Sequence, residues 1–145
     1  MSRAYIDAAV LVHALGNRAE LRDRCRVILD MVESDELVGE GAVLVIDEFT
    51  HVRFRRRGHR AEAAAEAEAA AAILVLHEVT PADLEHALDL FAGHPSLDMR
   101  DALHAAVARR VGLESIVTTD TDFDGVAGLR RVDPRDTTAV AKLAG

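Results

Sequence analysis

The stretch Ser115-Ile-Val-Thr-Thr-Asp-Thr-Asp-Phe-Asp-Gly125 joins a strand signal to the densest group of acids in the chain. Its β-branched first half predicts a strand over residues 115–118. Three aspartates follow at alternate positions, namely Asp120, Asp122 and Asp124. Carboxylates this close repel one another unless a cation lies between them. The stretch therefore predicts a strand that ends at a cation site.

Outward from this strand, strand-like segments alternate with helical patterns along the whole chain. We expect strands at 4–6, at 37–38 (ended by Gly39 and Gly41), at 74–79 (buried), at 115–118 and at 129–132. We expect helices at 8–15, 20–33, 43–57, 60–73, 81–92 and 101–111. This alternation predicts an α/β sandwich with a mostly parallel central sheet, in a single domain spanning residues 1–145.

Composition limits the classes of function. The formal net charge of -8 is a poor overall match to nucleic acid and favours basic partners, but residues 53–60 contain five arginines and no acid. The single cysteine, Cys25, excludes an internal disulfide and a cysteine-based zinc site. We find no signal peptide and no membrane-spanning segment, so the sequence predicts a cytoplasmic protein without a membrane partner.

Acids from four separate segments are expected at one edge of the sheet. Ligands of parallel sheets bind beyond the carboxyl ends of the strands, where Asp7 and Asp120 both fall. Glu48 and Asp101 lie on helices that can approach the same end. A divalent ion relieves the repulsion among such acids, and hard oxygen ligands select Mg²⁺ or Mn²⁺ over zinc. Sites of this type suit phosphodiester hydrolysis.

Four segments together resemble one known family. They are Tyr-Ile-Asp7-Ala, the mid-chain helix with Glu48, Asp101-Ala-Leu-His-Ala-Ala, and Ile-Val-Thr118-Thr-Asp120-Thr-Asp122-Phe. In order and spacing they resemble the PIN-domain ribonucleases, in particular the VapC-type toxins of toxin–antitoxin pairs. The resemblance covers nearly the whole chain and implies a PIN-like α/β/α fold.

The resemblance also implies an activity, ligands and partners. The activity would be Mg²⁺- or Mn²⁺-dependent endoribonuclease cleavage by metal-activated water, as the toxin of a type II toxin–antitoxin system. The implied catalytic acids are Asp7, Glu48, Asp101 and Asp120, and these with Asp122 would bind the metal, supported by the hydroxyl of Thr118. The implied partners are RNA, a small antitoxin protein and a second copy of the chain. The candidate contacts for RNA or a partner are Arg55, Arg56 and Arg57.

Several alternatives stay open at the level of sequence. Asp98 competes with Asp101 for the site but reads better as a helix-start acid, and Asp124 reads better as a turn residue. A calcium-binding EF-hand loop would need an acid where Arg131 stands. His104 reads as a packed helix residue more readily than as a ligand. A housekeeping RNA-processing PIN nuclease and a non-catalytic PIN-fold interaction module remain the rival functions.

Overall fold

The computed structural model describes residues 1–145 and contains one five-stranded sheet. The strands are β1 (Arg3–Ile6), β2 (Val38–Ala42), β3 (Val75–His77), β4 (Ser115–Val117) and β5 (Arg130–Val132). Their order across the sheet is β3-β2-β1-β4-β5, and every neighbouring pair is parallel. The predicted α/β fold with a parallel central sheet is confirmed. Because β1 is central, the carboxyl ends of β1 and β4 lie side by side.

Seven helices connect and cover the strands. They are α1 (Ala8–Ala14), α2 (Ala19–Glu33), α3 (Val43–Arg57), α4 (Arg60–Ile73), α5 (Pro81–Gly93), α6 (Met99–Arg110) and α7 (Thr137–Leu143). The apolar run after Ala42 is helical, as predicted, and Gly58 ends α3 with a φ of 72° that favours glycine. The sequence did not indicate α7. No helix combines the length and apolar character that a membrane span requires.

The prediction that Gly39 and Gly41 end the second strand is wrong. β2 continues through both glycines to Ala42 and pairs in register with β1. A Cβ atom on Gly39 would lie 2.9 Å from Cγ2 of Val32 on α2, a distance too short for two carbons. Glycine is therefore required there because α2 packs closely against the sheet.

The prediction of a buried strand at residues 74–79 is also wrong. β3 is a three-residue strand at the edge of the sheet, and Val75 is 47% exposed. An edge strand has a neighbouring strand on one side only, so its residues can stay exposed even when they are apolar. Similarly, α6 begins at Met99 instead of Asp101, because the side chain of Asp98 caps it.

A cluster of 37 buried apolar residues forms the core around the sheet. Helix α5 contributes little to it, although its sequence has a clear apolar stripe. Leu84, Leu88 and Phe91 on that stripe are 47%, 51% and 48% exposed. Only Ala87 and Leu90 among the helix's apolar residues are buried. The α5 stripe (Leu84, Leu88 and Phe91) is thus an apolar surface without a covering element in the monomer.

Candidate active site

Acidic side chains from four elements line one open cleft at the carboxyl edge of the sheet. Asp7 follows β1, Asp120 follows β4, Glu48 lies on α3 and Asp101 lies in the first turn of α6. The cleft has a volume of about 380 Å³. Asp122 lies beside it, with a carboxylate oxygen within 4.8 Å of ligand atoms of Asp101 and Asp120. The five acids singled out from the sequence therefore lie close together.

Asp7 is 7% exposed and is held by two hydrogen bonds. The backbone N–H of Ala8 donates to Oδ1 at 2.8 Å, and the hydroxyl of Thr118 donates to Oδ2 at 2.7 Å. The same hydroxyl accepts the N–H of Asp120 at 3.1 Å. Thr118 therefore links the acid after β1 to the loop after β4. Asp7 also caps α1, so its capping role and its place in the cleft coexist.

Burial and mutual repulsion disfavour the ionised acids. Burial raises the pKa of Asp7, and the charge of Glu48 adds to this, although His104 and the Thr118 hydroxyl act in the opposite direction. Burial, followed by the charges of nearby aspartates, raises the pKa of Asp101 to about 7. The charge of Asp120 raises the pKa of Asp122. Without a cation, the site thus disfavours the ionised form of these three aspartates.

Glu48 is held by two basic side chains. Nε2 of His104 lies 3.0 Å from its Oε1, and Nε of Arg100 lies 3.3 Å from the same oxygen. His104 is fully buried, whereas the Arg100 side chain is 57% exposed. Burial lowers the pKa of His104. Its hydrogen bond to Glu48 and the charges of Glu48, Asp7 and Asp101 raise this pKa by more than burial lowers it, so the net shift is upward.

The residues of the cleft fit a divalent cation. Two groups of potential ligands each lie within 4.8 Å of one another, namely Asp7 with Glu48 and His104, and Asp101 with Asp120 and Asp122. Apart from the imidazole, all the donors are carboxylate oxygens, which suit Mg²⁺ or Mn²⁺. A cation would also remove the repulsion that raises the pKa of Asp101.

The arginine block at the end of α3 divides into separate roles. Of Arg55, Arg56 and Arg57, only Arg56 lines the cleft, while Arg57 pairs with Glu62 at 3.5 Å and Arg55 is exposed. Sequence reasoning missed Arg100, His13 and His51, which also line the cleft. His51 shares a helix face with Glu48, three residues earlier, and that spacing could have indicated it. No spacing or motif marks His13 and Arg100, because they reach the cleft only through the packing of α1 and α6.

The two acids with competing roles have structural partners. Oδ1 of Asp98 accepts the N–H of Asp101 at 2.7 Å, as expected of a helix-capping acid, although Asp98 also lines the cleft. Asp124 lies just before Gly125, whose φ is 87°, and receives a hydrogen bond of 2.8 Å from Nε of Arg131. Arg131, which stands where an EF-hand would need an acid, instead pairs with Asp124 and Asp133.

Comparison with known proteins matches this arrangement to one family. The model of the PIN domain matches residues 4–129, which include the four predicted acids that line the cleft and Asp122 beside it. The chain belongs to the PIN-domain family. PIN domains are nucleases, so this chain is a nuclease and its acidic cleft is the candidate active site.

Individual relatives of the PIN family support this assignment. Ribonuclease VapC7 of Mycobacterium tuberculosis is 33% identical, over 97% of this chain and 97% of its own length. The structure of VapC20 from Mycobacterium tuberculosis, a sarcin-ricin loop cleaving toxin, superposes with a TM-score of 0.69 at 22% identity, over 88% of this chain and 98% of that one. A toxin–antitoxin complex from Klebsiella pneumoniae superposes with a TM-score of 0.63 at 19% identity, over 90% and 97%. These two structures show that the fold is shared.

Proposed function

We propose that this protein is an Mg²⁺- or Mn²⁺-dependent endoribonuclease that acts as the toxin of a type II toxin–antitoxin system. The observation that carries the proposal is the convergence of Asp7, Glu48, Asp101 and Asp120 from four elements on one cleft. Asp122 completes the ligand set beside Asp101 and Asp120. The relationship to ribonuclease VapC7 over nearly the full length of both chains supports RNA as the substrate.

Each acid has a defined task in this proposal. Asp7, oriented by Thr118 and by the N–H of Ala8, presents a carboxylate fixed at both oxygens. Glu48 on α3 belongs to the same group of potential ligands as Asp7, whereas Asp101 and Asp120 belong to the second group. When bound, a divalent cation lowers the pKa of a coordinated water and stabilises negative charge on the phosphate oxygens. The side chains orient the reacting groups, and a bound cation would favour the ionised carboxylates by offsetting their repulsion.

RNA reaches this acidic cleft along a basic rim. Arg56 on α3 and Arg100 on α6 both line the cleft and are exposed to solvent. Their guanidinium groups are suited to phosphate oxygens, which they contact in a fixed planar geometry. Binding through phosphates is sensitive to salt, because each contact releases condensed counterions.

Removal of divalent metal is the direct test of the proposed activity. We expect the purified protein to cleave RNA with Mg²⁺ or Mn²⁺, to lose cleavage in EDTA, and to regain it when excess metal is added back. Product length on a denaturing gel measures each condition, and a Ca²⁺ sample tests whether any divalent ion suffices. Cleavage that continues in EDTA would contradict the proposed mechanism.

An apolar groove between α1, α2, α3 and α4 is the proposed binding site of the antitoxin. It has a volume of about 270 Å³, and its apolar lining is Leu11, Ala14, Leu15, Leu29, Phe49, Ala69, Ala70 and Ile73. Glu33 and Glu66 also line it, although Glu66 is already paired with Arg53, and the chain has a net charge of -8. An amphipathic helix with basic flanks fits both features. The similarity to a toxin–antitoxin complex from Klebsiella pneumoniae supports an antitoxin as the partner.

A lysine in this groove should prevent antitoxin binding. We expect Leu15→Lys to block the apolar contact, because Leu15 lines the groove and is 46% exposed. Val27→Lys is the matched control, since Val27 is 43% exposed on α2 and lies outside the groove. Co-purification with the protein encoded immediately upstream measures the interaction. Equal recovery with both variants would contradict this choice of groove.

We also propose that a second copy of the chain covers the α5 stripe. Its three large apolar side chains are each about half exposed and lie on one helix face. Two copies related by a twofold axis would bring identical stripes together, as is usual for a homodimer. The molar mass from light scattering tests this proposal, and a monomer at high protein concentration would contradict it.

A further inference from the structure

Beneath the cleft lies a buried polar pair that the assignment of metal-binding acids does not include. Tyr5 on β1 and His104 on α6 are both 0% exposed, and their rings meet edge to face with centroids 5.6 Å apart. A buried phenol and a buried imidazole are costly unless each polar atom has a partner. Here every one of them does, and the chain of contacts ends on Glu48.

The direction of these hydrogen bonds follows from the number of available hydrogens. The backbone N–H of Ala42 donates to the Tyr5 hydroxyl oxygen at 3.1 Å. The single hydroxyl hydrogen of Tyr5 is then available to Nδ1 of His104, 2.5 Å away. Nδ1 therefore accepts, and Nε2 carries the hydrogen that is donated to Oε1 of Glu48 at 3.0 Å. Protonation of Nδ1 would leave the hydrogen on Nε2 in place.

Of the two groups that hold Glu48, His104 is the rigid one. The Arg100 side chain is 57% exposed, so water and salt compete for its contact with Glu48. The imidazole is enclosed, and its orientation is set from behind by Tyr5. The hydrogen bond from His104 and the ion pair with Arg100 both reach Oε1, and Oε2 accepts no hydrogen bond from the protein. That oxygen is left available for a ligand in the cleft.

We propose that His104, held in place by Tyr5, is a positioning residue that orients the Glu48 carboxylate toward the divalent cation of the cleft. The inference rests on the proposed metal-dependent function. Both imidazole nitrogens are already engaged, so His104 acts through Glu48 and is not itself a ligand. Residues that orient a ligand in this way commonly change metal affinity or activity by about 10- to 100-fold when substituted.

The test measures Mn²⁺ binding to the purified protein by calorimetry and, separately, the Mn²⁺ dependence of RNA cleavage. We expect His104→Leu to weaken Mn²⁺ binding by about 10- to 100-fold and to move the Mn²⁺ midpoint of cleavage to higher concentration. His104→Gln should restore part of the affinity, because its amide places an N–H donor near the position of Nε2. Tyr5→Phe should weaken binding in the same direction but by less. His86→Leu on α5, outside the cleft, is the matched control and should leave Mn²⁺ affinity unchanged.

The possible outcomes separate this inference from the proposed function. Wild-type affinity for Mn²⁺ in folded His104→Leu protein, or equal losses in His104→Leu and His104→Gln, would overturn the positioning role. If His104→Leu does not fold, Tyr5→Phe decides, and unchanged Mn²⁺ affinity in that variant has the same meaning. A wild-type protein that binds Mn²⁺ but cleaves no RNA would overturn the proposed function alone.

Discussion

Asp7→Asn protein is expected to cleave RNA at least about 100-fold more slowly than the wild type, since even residues that only orient metal ligands cost about 10- to 100-fold. The substitution removes one negative charge and keeps the shape of the side chain. The introduced amide retains an oxygen that can accept the N–H of Ala8, the contact that Oδ1 of Asp7 makes at 2.8 Å. Because burial raises the pKa of Asp7, removal of the charge itself should not weaken the fold, but the amide NH2 replaces the oxygen that accepts the Thr118 hydroxyl. Initial cleavage rates at saturating Mg²⁺ measure the effect.

The matched control for this prediction is Asp124→Asn. It makes the same chemical change in the acidic loop, but at a carboxylate that pairs with Arg131 and does not line the cleft. We expect its rate of cleavage to stay within about twofold of the wild type, because surface ion pairs of this kind are worth little. Equal losses in both variants would mean that loop integrity, instead of ligand charge, limits the reaction.

The gathering of the acids could be anticipated from sequence because it depends on topology. In a parallel sheet, any residue that follows a strand lies at the same edge, and Asp7 and Asp120 follow adjacent strands. Glu48 and Asp101 were expected near that edge because the order of segments resembles that of the PIN family. Their partners could not be anticipated in this way. The contact between Tyr5 and His104 joins residues 99 positions apart and depends on how α6 packs on the sheet.

The differences between the fold expected from sequence and the observed fold have a common physical origin. The sequence pattern reports the local preference of a segment, whereas strand length and burial depend on what packs against it. Gly39 was predicted to end the strand, yet the strand continues through it, and the glycine leaves room for the side chain of Val32 on α2. The apolar stripe of α5 has the pattern of a buried helix face, yet Leu88 is 51% exposed. In both cases the missing information was which elements pack against the segment.

Stability without metal is expected to fall as the pH rises from about 4 to about 7. The pKa of Asp101 is raised from 3.8 to about 7, so the folded protein binds a proton in this interval that the unfolded chain has released. The stabilisation contributed by this proton is therefore fully present below the ordinary carboxyl pKa, and it is lost as the pH rises through the pKa of Asp101 in the folded protein. Bound Mg²⁺ favours the ionised form. The increase in melting temperature on adding Mg²⁺ should consequently be larger at about pH 8 than at about pH 5.

The variant Asp101→Asn separates this effect from a general influence of pH. Without metal at about pH 8, we expect it to melt about 3 °C above the wild type, the shift that about 1 kcal/mol produces in a chain of this length. The gain is limited because Asp101 is only partly buried and water screens its charge. The same variant should lose most of the Mg²⁺-dependent stabilisation and of the RNA cleavage. Asp89→Asn on α5, at an exposed position outside the cleft, should change neither property. A wild-type melting temperature in EDTA that rises between about pH 5 and about pH 8 would contradict the argument, because repulsion among the acids of the cleft requires the opposite sign.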